Sequence, residues 1–140
     1  MEKRKRSFTD ISLSITIGVV YLWFGSLKFF SGVSPAEELA QNTIDMLTFG
    51  LIPSNVSIIL LAIWETAVGI LLITNQFKKY ALYAALVHMI CTFTPLFLFP
   101  ELSFTASMVE LTLVGQYIIK NLIIIAAVMI LMKENKDVRR

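Results

Sequence analysis

Charge is scarce in this chain, and cysteine and histidine are scarcer still. Of 140 residues, 16% are charged and 56% hydrophobic, against about 25% and about 45–50% in soluble globular domains. The shift is toward lipid. The single cysteine, Cys91, excludes an internal disulfide and a dithiol redox pair. Set in an apolar run, it reads first as a small packing residue. The single histidine, His88, excludes paired haem ligands, and one imidazole with scattered carboxylates is poor material for a metal site. No phosphate-cradling glycine loop, nucleophile elbow or haem-attachment motif occurs. No catalytic residue, metal or nucleotide is therefore expected, and no nucleic-acid partner. Repeats and low-complexity tracts are absent as well, and the length suits one domain over residues 1–140.

What the chain does have is four long apolar runs, at about residues 11–30, 56–74, 80–99 and 113–132. Each holds about 20 residues, the length a helix needs to cross hydrocarbon. The runs are continuous rather than alternating, which favours helices over barrel strands. The expected fold is an all-α membrane protein, a four-transmembrane-helix bundle. Although Lys3, Arg4, Lys5 and Arg6 precede the first run, it is too long for a signal peptide. No small-residue cleavage site follows it, so a retained span is expected.

Lysine and arginine orient the spans. They fall in the N-terminal tail, in the second connection (Lys78, Lys79) and in the C-terminal tail (Lys133, Lys136, Arg139, Arg140). The other two connections carry only acids, among them Glu37, Glu38, Asp45, Glu101 and Glu110. The positive-inside rule then places both termini in the cytoplasm. In the first outer connection, Ser34-Pro35-Ala36-Glu37 reads as a capping box with proline at the first helical position. Gly50 reads as the stop. A short extracytoplasmic amphipathic helix on the outer surface is expected between spans one and two. Pro95 should bend the third span near its outer end.

Polar residues at bilayer depth are costly and mark functional sites by default. Glu65 lies about 14 Å deep from the outer side, Lys120 about 10 Å, and His88 about 12 Å from the inner side, at 1.5 Å per residue. Lys28 lies higher, where it could also snorkel outward. Gln116 and Lys120 share one face of span four, and Thr92 sits one turn above His88. With Tyr117 and Asn121 these residues form a candidate polar seam in which Glu65 neutralises Lys28 or Lys120. Trp23 and Trp64 are candidates for an aromatic lining, as are Tyr21, Tyr83 and Tyr117, although aromatics in spans more often serve packing or the interface.

The segments Trp23-Phe24-Gly25-Ser26-Leu27-Lys28-Phe29, Trp64-Glu65-Thr66-Ala67-Val68-Gly69 and Gly115-Gln116-Tyr117-Ile118-Ile119-Lys120-Asn121-Leu122 resemble the DoxX-like superfamily of small four-helix membrane proteins. The resemblance covers nearly the whole chain, and the third segment is its most specific part. It implies a bacterial cytoplasmic (inner) membrane and a range of roles. Some members resemble the small subunit of a thiosulfate:quinone oxidoreductase, others proteins of oxidative-stress operons, and a eukaryotic branch receptor-assembly chaperones. This chain lacks the soluble partner domain and the dithiol that enzymatic activity would require, so at most a non-catalytic subunit of an oxidoreductase is expected.

Three functions are weighed. The first is a membrane accessory or binding subunit whose seam holds a quinone or lipid-like molecule. The second is an assembly or chaperone-like protein whose polar groups pair with a membrane-protein partner or a second copy of the chain. The third is a proton or ion pathway through Glu65, His88 and Lys120. Membrane lipids are expected partners in each.

Overall fold

A computed structural model describes residues 7–34, 36–107 and 109–137. The basic cluster at residues 3–6, Pro35, Arg139 and Arg140 lie outside them. The described residues form eight helices and no strand: α1 (Phe8–Leu27), α2 (Glu37–Leu47), α3 (Ser54–Thr74), α4 (Lys78–Cys91), α5 (Pro95–Leu98), α6 (Pro100–Ser103), α7 (Leu113–Ile119) and α8 (Asn121–Asp137). Four stretches are long and apolar enough to cross a membrane: Phe8–Leu27, Ser54–Thr74, Lys78–Leu98 and Leu113–Lys136. Their outward faces carry exposed Ile15, Val19, Ile63, Ile70, Val87 and Ile123. A surface this apolar on helices that are hydrophobic all round is the kind a membrane protein presents to lipid.

Helix α1 starts three residues before the apolar run because Ser7 caps it. The Ser7 hydroxyl accepts from the Thr9 amide at 3.3 Å, and the Asp10 carboxylate accepts from the Ser7 amide at 3.2 Å. This is a capping box that an apolar run does not reveal. The helix also ends early, at Leu27, where the amides of Lys28, Phe29 and Phe30 tighten onto carbonyls three residues back.

Helices α1 and α3 run antiparallel through their small residues. The Ser14 hydroxyl donates to the Leu72 carbonyl at 3.1 Å. A Cβ on Gly69 would lie 2.6 Å from the Leu22 amide nitrogen, and one on Gly18 would lie 2.9 Å from the Gly69 carbonyl oxygen. Two backbones therefore meet directly, as small residues allow in membrane helices. Around this pair, α8 packs on α1 and α4, and α4 packs back on α3, closing a four-helix ring. Its core, including Ile17, Val68, Leu72, Leu82, Val128 and Leu131, fills the half nearer the α3–α4 turn. There Asn75 takes a left-handed conformation at φ 58° to end α3, a role asparagine tolerates.

The antiparallel register leaves the first two turns of α3 extending past the end of α1. Helix α2 occupies that space and packs on α3 and α5. The expected short helix between the first two spans is therefore present, but it leans on the bundle rather than lying apart on its surface. Its expected capping box is absent: Ala36 is the N-cap, with no side-chain hydrogen bond. The Glu37 carboxylate instead accepts from the Gly32 amide at 2.7 Å. Gly50 does stand at positive φ beyond the helix end, preceded by Phe49, also at positive φ.

Both later spans depart from a regular helix. Pro95 has no amide to offer the Cys91 carbonyl. The Thr94 amide takes that carbonyl at 3.0 Å, and α4 stops at Cys91 before α5 resumes the direction of the span. Span four is only tightened at Lys120, between α7 and α8, where the Ile123 amide takes the Lys120 carbonyl three residues back while Lys120 itself keeps helical dihedrals; no proline or glycine stands there.

Candidate functional site

Four residues from three helices meet at the level where α1 ends. Lys28 follows the last residue of α1 and turns its stem back along the helix, so that Nζ donates to the Phe24 carbonyl at 3.3 Å. The same Nζ donates to Glu65 Oε2 at 2.6 Å, and both side chains are buried. Glu65 is the twelfth residue of the 21-residue α3, the middle of the span. Its other oxygen, Oε1, lies 3.3 Å from His88 Nε2 on α4. His88 Nδ1 lies 3.2 Å from the Tyr21 hydroxyl, which also sits 3.1 Å from the Ala85 carbonyl.

These contacts form one chain: ammonium, carboxylate, imidazole, phenol. The single Tyr21 proton goes to the Ala85 carbonyl, so a neutral imidazole places its own proton either on Nε2 toward Glu65 or on Nδ1 toward the Tyr21 oxygen. The ammonium and carboxylate then cancel, and the cluster has no net charge. Gly25 permits this geometry, because a Cβ there would lie 2.8 Å from both the Glu65 Cβ and the Thr66 amide nitrogen. Tyr21, Phe24, Gly25 and Lys28 recur at the three- and four-residue spacing of one helical face.

The cluster forms the floor of a cavity of about 370 Å³, at the small end of the size of ligand sites. Leu39, Thr43 and Leu47 of α2 cover it like a lid, and Thr92 and Pro95 border it where span three is interrupted. On the opposite wall lie Tyr117, Lys120 and Asn121. There the Asn121 amide donates to the Thr92 hydroxyl at 3.0 Å, tying the two irregular points together. Tyr117 meets Phe24 edge to face with ring centroids 5.8 Å apart. Irregular backbone at membrane depth is tolerated where it lines a cavity, and both of these points do so.

The residues singled out from the sequence thus fall into groups. Lys28, Glu65 and His88 share the floor, while Thr92, Tyr117, Lys120 and Asn121 share the wall. The partner of Glu65 is Lys28 rather than Lys120, and Lys28 snorkels inward. Gln116 does not line the cavity: it is exposed, and its amide donates to the Leu111 carbonyl at 3.3 Å. Trp23 and Trp64 are 66% and 45% exposed and lie outside the lining. Aromatic rings from Tyr21, Phe24 and Tyr117 take that place. Tryptophans facing outward suit the packing and interfacial roles that aromatics more often have in spans. Phe24, the lid residues of α2 and Cys91, which also borders the cavity, were not marked as site residues by the sequence. For Phe24 a signal existed, its place on the Lys28 face. For α2 the signal was the apolar face of Leu39, Ala40, Ile44 and Leu47, which lines the cavity, but what that face docks on depends on where α1 stops.

Among the described residues no group of three His, Cys, Asp or Glu side chains could hold a metal ion. No family model, curated protein or solved structure matches the chain.

Proposed function

We propose that this chain is a membrane-embedded accessory or binding subunit that holds a quinone or lipid-like molecule in the lidded cavity. The observation that carries this reading is the floor itself. Lys28 and His88 converge on Glu65, with Tyr21 behind the imidazole, beneath a small, mostly apolar space. A pocket with few convergent polar groups in an apolar wall is the usual form of a small-molecule site. Catalysis is not assigned to the chain; at most it serves an oxidoreductase as a non-catalytic subunit. Its segments around Lys28, Glu65 and Lys120 support placing it among DoxX-like proteins of a bacterial cytoplasmic membrane, with α2 on the outer side. A reporter fused after Arg140 is expected to be cytoplasmic, and an extracytoplasmic signal would reverse the orientation.

The partner-pairing reading ranks second, because both Glu65 oxygens are engaged within the chain instead of facing a client helix. The proton-pathway reading ranks third, since the apolar core lies between the cluster and the α3–α4 turn.

Native mass spectrometry and lipid extraction of the purified protein test the first reading. A quinone or lipid should accompany the wild type in stoichiometric amount, and Glu65→Gln should change that amount severalfold at unchanged elution volume. Recovery of neither above background, from both proteins alike, would sink it.

A further inference from the structure

Two lysines border the cavity, and only one is neutralised there. Lys28 is matched by Glu65. Lys120 has no ion-pair or hydrogen-bonding partner for its ammonium among the described residues. It is the eighth residue of the span Leu113–Lys136, about 10 Å along the helix from its start. With neutral His88, the lining carries one net positive charge. Lys120 is exposed, and an accessible, uncompensated ammonium at that depth attracts a counter-anion.

The surroundings say what kind. One turn before Lys120, the Tyr117 hydroxyl makes no hydrogen bond among the described residues. Lys120 and Tyr117 therefore offer two donors on one wall, with Asn121 beside them fixed by its bond to Thr92. Away from that wall, Val20, Leu39, Leu61 and Ile124 are apolar. A cavity of about 370 Å³ suits one chain or one ring.

We propose that the cavity ligand is a single-chain amphiphile with a carboxylate head, of the fatty-acid class, its head bound by Lys120 and Tyr117 and its chain lying under α2. This rests on the cavity being a ligand site, and it selects an anionic lipid over a neutral quinone. A neutral head group would leave the Lys120 charge unmatched, whereas a carboxylate has two oxygens to accept from the two donors.

Cys91 supplies the readout. It is the chain's single cysteine, it is exposed and borders the cavity, and it adjoins Thr92 just as Lys120 adjoins Asn121. Cys91 and Lys120 line the same cavity, so a ligand held there is expected to shield the thiol. The experiment follows alkylation of Cys91 by N-ethylmaleimide in the full-length protein, reconstituted in nanodiscs of uncharged lipid. Oleate, oleyl alcohol and a short-chain ubiquinone analogue are titrated as protectants. Oleate should slow alkylation at a concentration about tenfold below that required of the alcohol, the value of one charge-assisted hydrogen bond. Lys120→Gln should erase that preference and Lys120→Arg should keep it. Equal protection by acid and alcohol, better protection by the quinone, or a preference surviving Lys120→Gln would overturn the fatty-acid assignment while leaving the ligand site standing. Protection by none of the three would overturn both.

Discussion

Glu65→Ala is expected to destabilise the bundle by about 3–5 kcal/mol, because it strands the Lys28 ammonium without its partner. The Lys28 side chain is 7% exposed, and its remaining contact is the Phe24 carbonyl. His88 would lose the acceptor for Nε2 at the same time. The measurement is the midpoint of unfolding in a mild detergent, followed by size-exclusion recovery after heating. A buried ion pair is nonetheless weak as a stabilising device when compared with apolar residues of similar volume. The double variant Lys28→Met with Glu65→Leu should therefore regain most of what Glu65→Ala loses, while failing to retain the cavity ligand. If Glu65→Ala melts like wild type, the pair is solvated and the cluster is not the buried floor described. If the double variant is no more stable than the single one, packing rather than charge dominates there.

The second large effect is expected at Gly69. Its missing Cβ lets α1 and α3 touch, with the Gly18 carbonyl oxygen 2.8 Å and the Leu22 amide nitrogen 2.6 Å from where that atom would stand. Neither neighbour is a side chain that could swing away, so the helices must separate. Gly69→Ala should cost about 1–3 kcal/mol, the usual range for overpacking, and Gly69→Val more. The separation also propagates to function. Gly25 lies on the same interface, two turns along α1 from Gly18, and it fixes the approach of α1 to Glu65. Ligand retention should therefore fall in Gly69→Ala although that residue borders no part of the cavity. Gly32→Ala is a useful contrast: nothing lies within 4 Å of a Cβ there, and its cost comes only from a φ of 75°, so it should leave the α1–α3 contact intact.

The first expectation uses residues that stand out in the sequence. Four apolar runs of span length were enough for the helices, because hydrocarbon leaves a spanning chain few alternatives. The cost of burying charge marks Glu65 and Lys28 in the sequence alone, and these two do meet. The early end of α1 was less legible. Phe29 and Phe30 prolong the apolar run, yet the helix stops at Leu27, and from that stop follow the inward turn of Lys28 and the seat of α2. The tightening at Lys120 was hidden for a similar reason, since no proline or glycine stands there to mark it. Pro95 did announce its own break. Trp23 and Trp64 misled because composition cannot distinguish an inward ring from an outward one. On α1 the inward face is the one shared by Tyr21, Gly25 and Lys28, and Trp23 lies off it.

Helix α2 is held at one end by the Glu37 contact with the Gly32 amide, and glycines at positive φ flank it on both sides. Glycine at such positions permits the backbone to pivot without a Cβ penalty. Entry of a chain-like ligand requires some displacement of α2, and these residues are where it would be absorbed. Glu37→Ala should therefore raise the rate of ligand exchange severalfold with little change in melting temperature, as read by competition with an isotopically labelled ligand in native mass spectrometry.

The most direct measurement of the central claim is an experimental structure of the protein purified into nanodiscs with its own membrane lipid. The account predicts elongated density between α2 and the Lys28–Glu65–His88 floor, reaching the Lys120 wall, with the two Glu65 contacts preserved. A collapsed cavity, with α2 packed down on Glu65 and no room for a ligand, would contradict it.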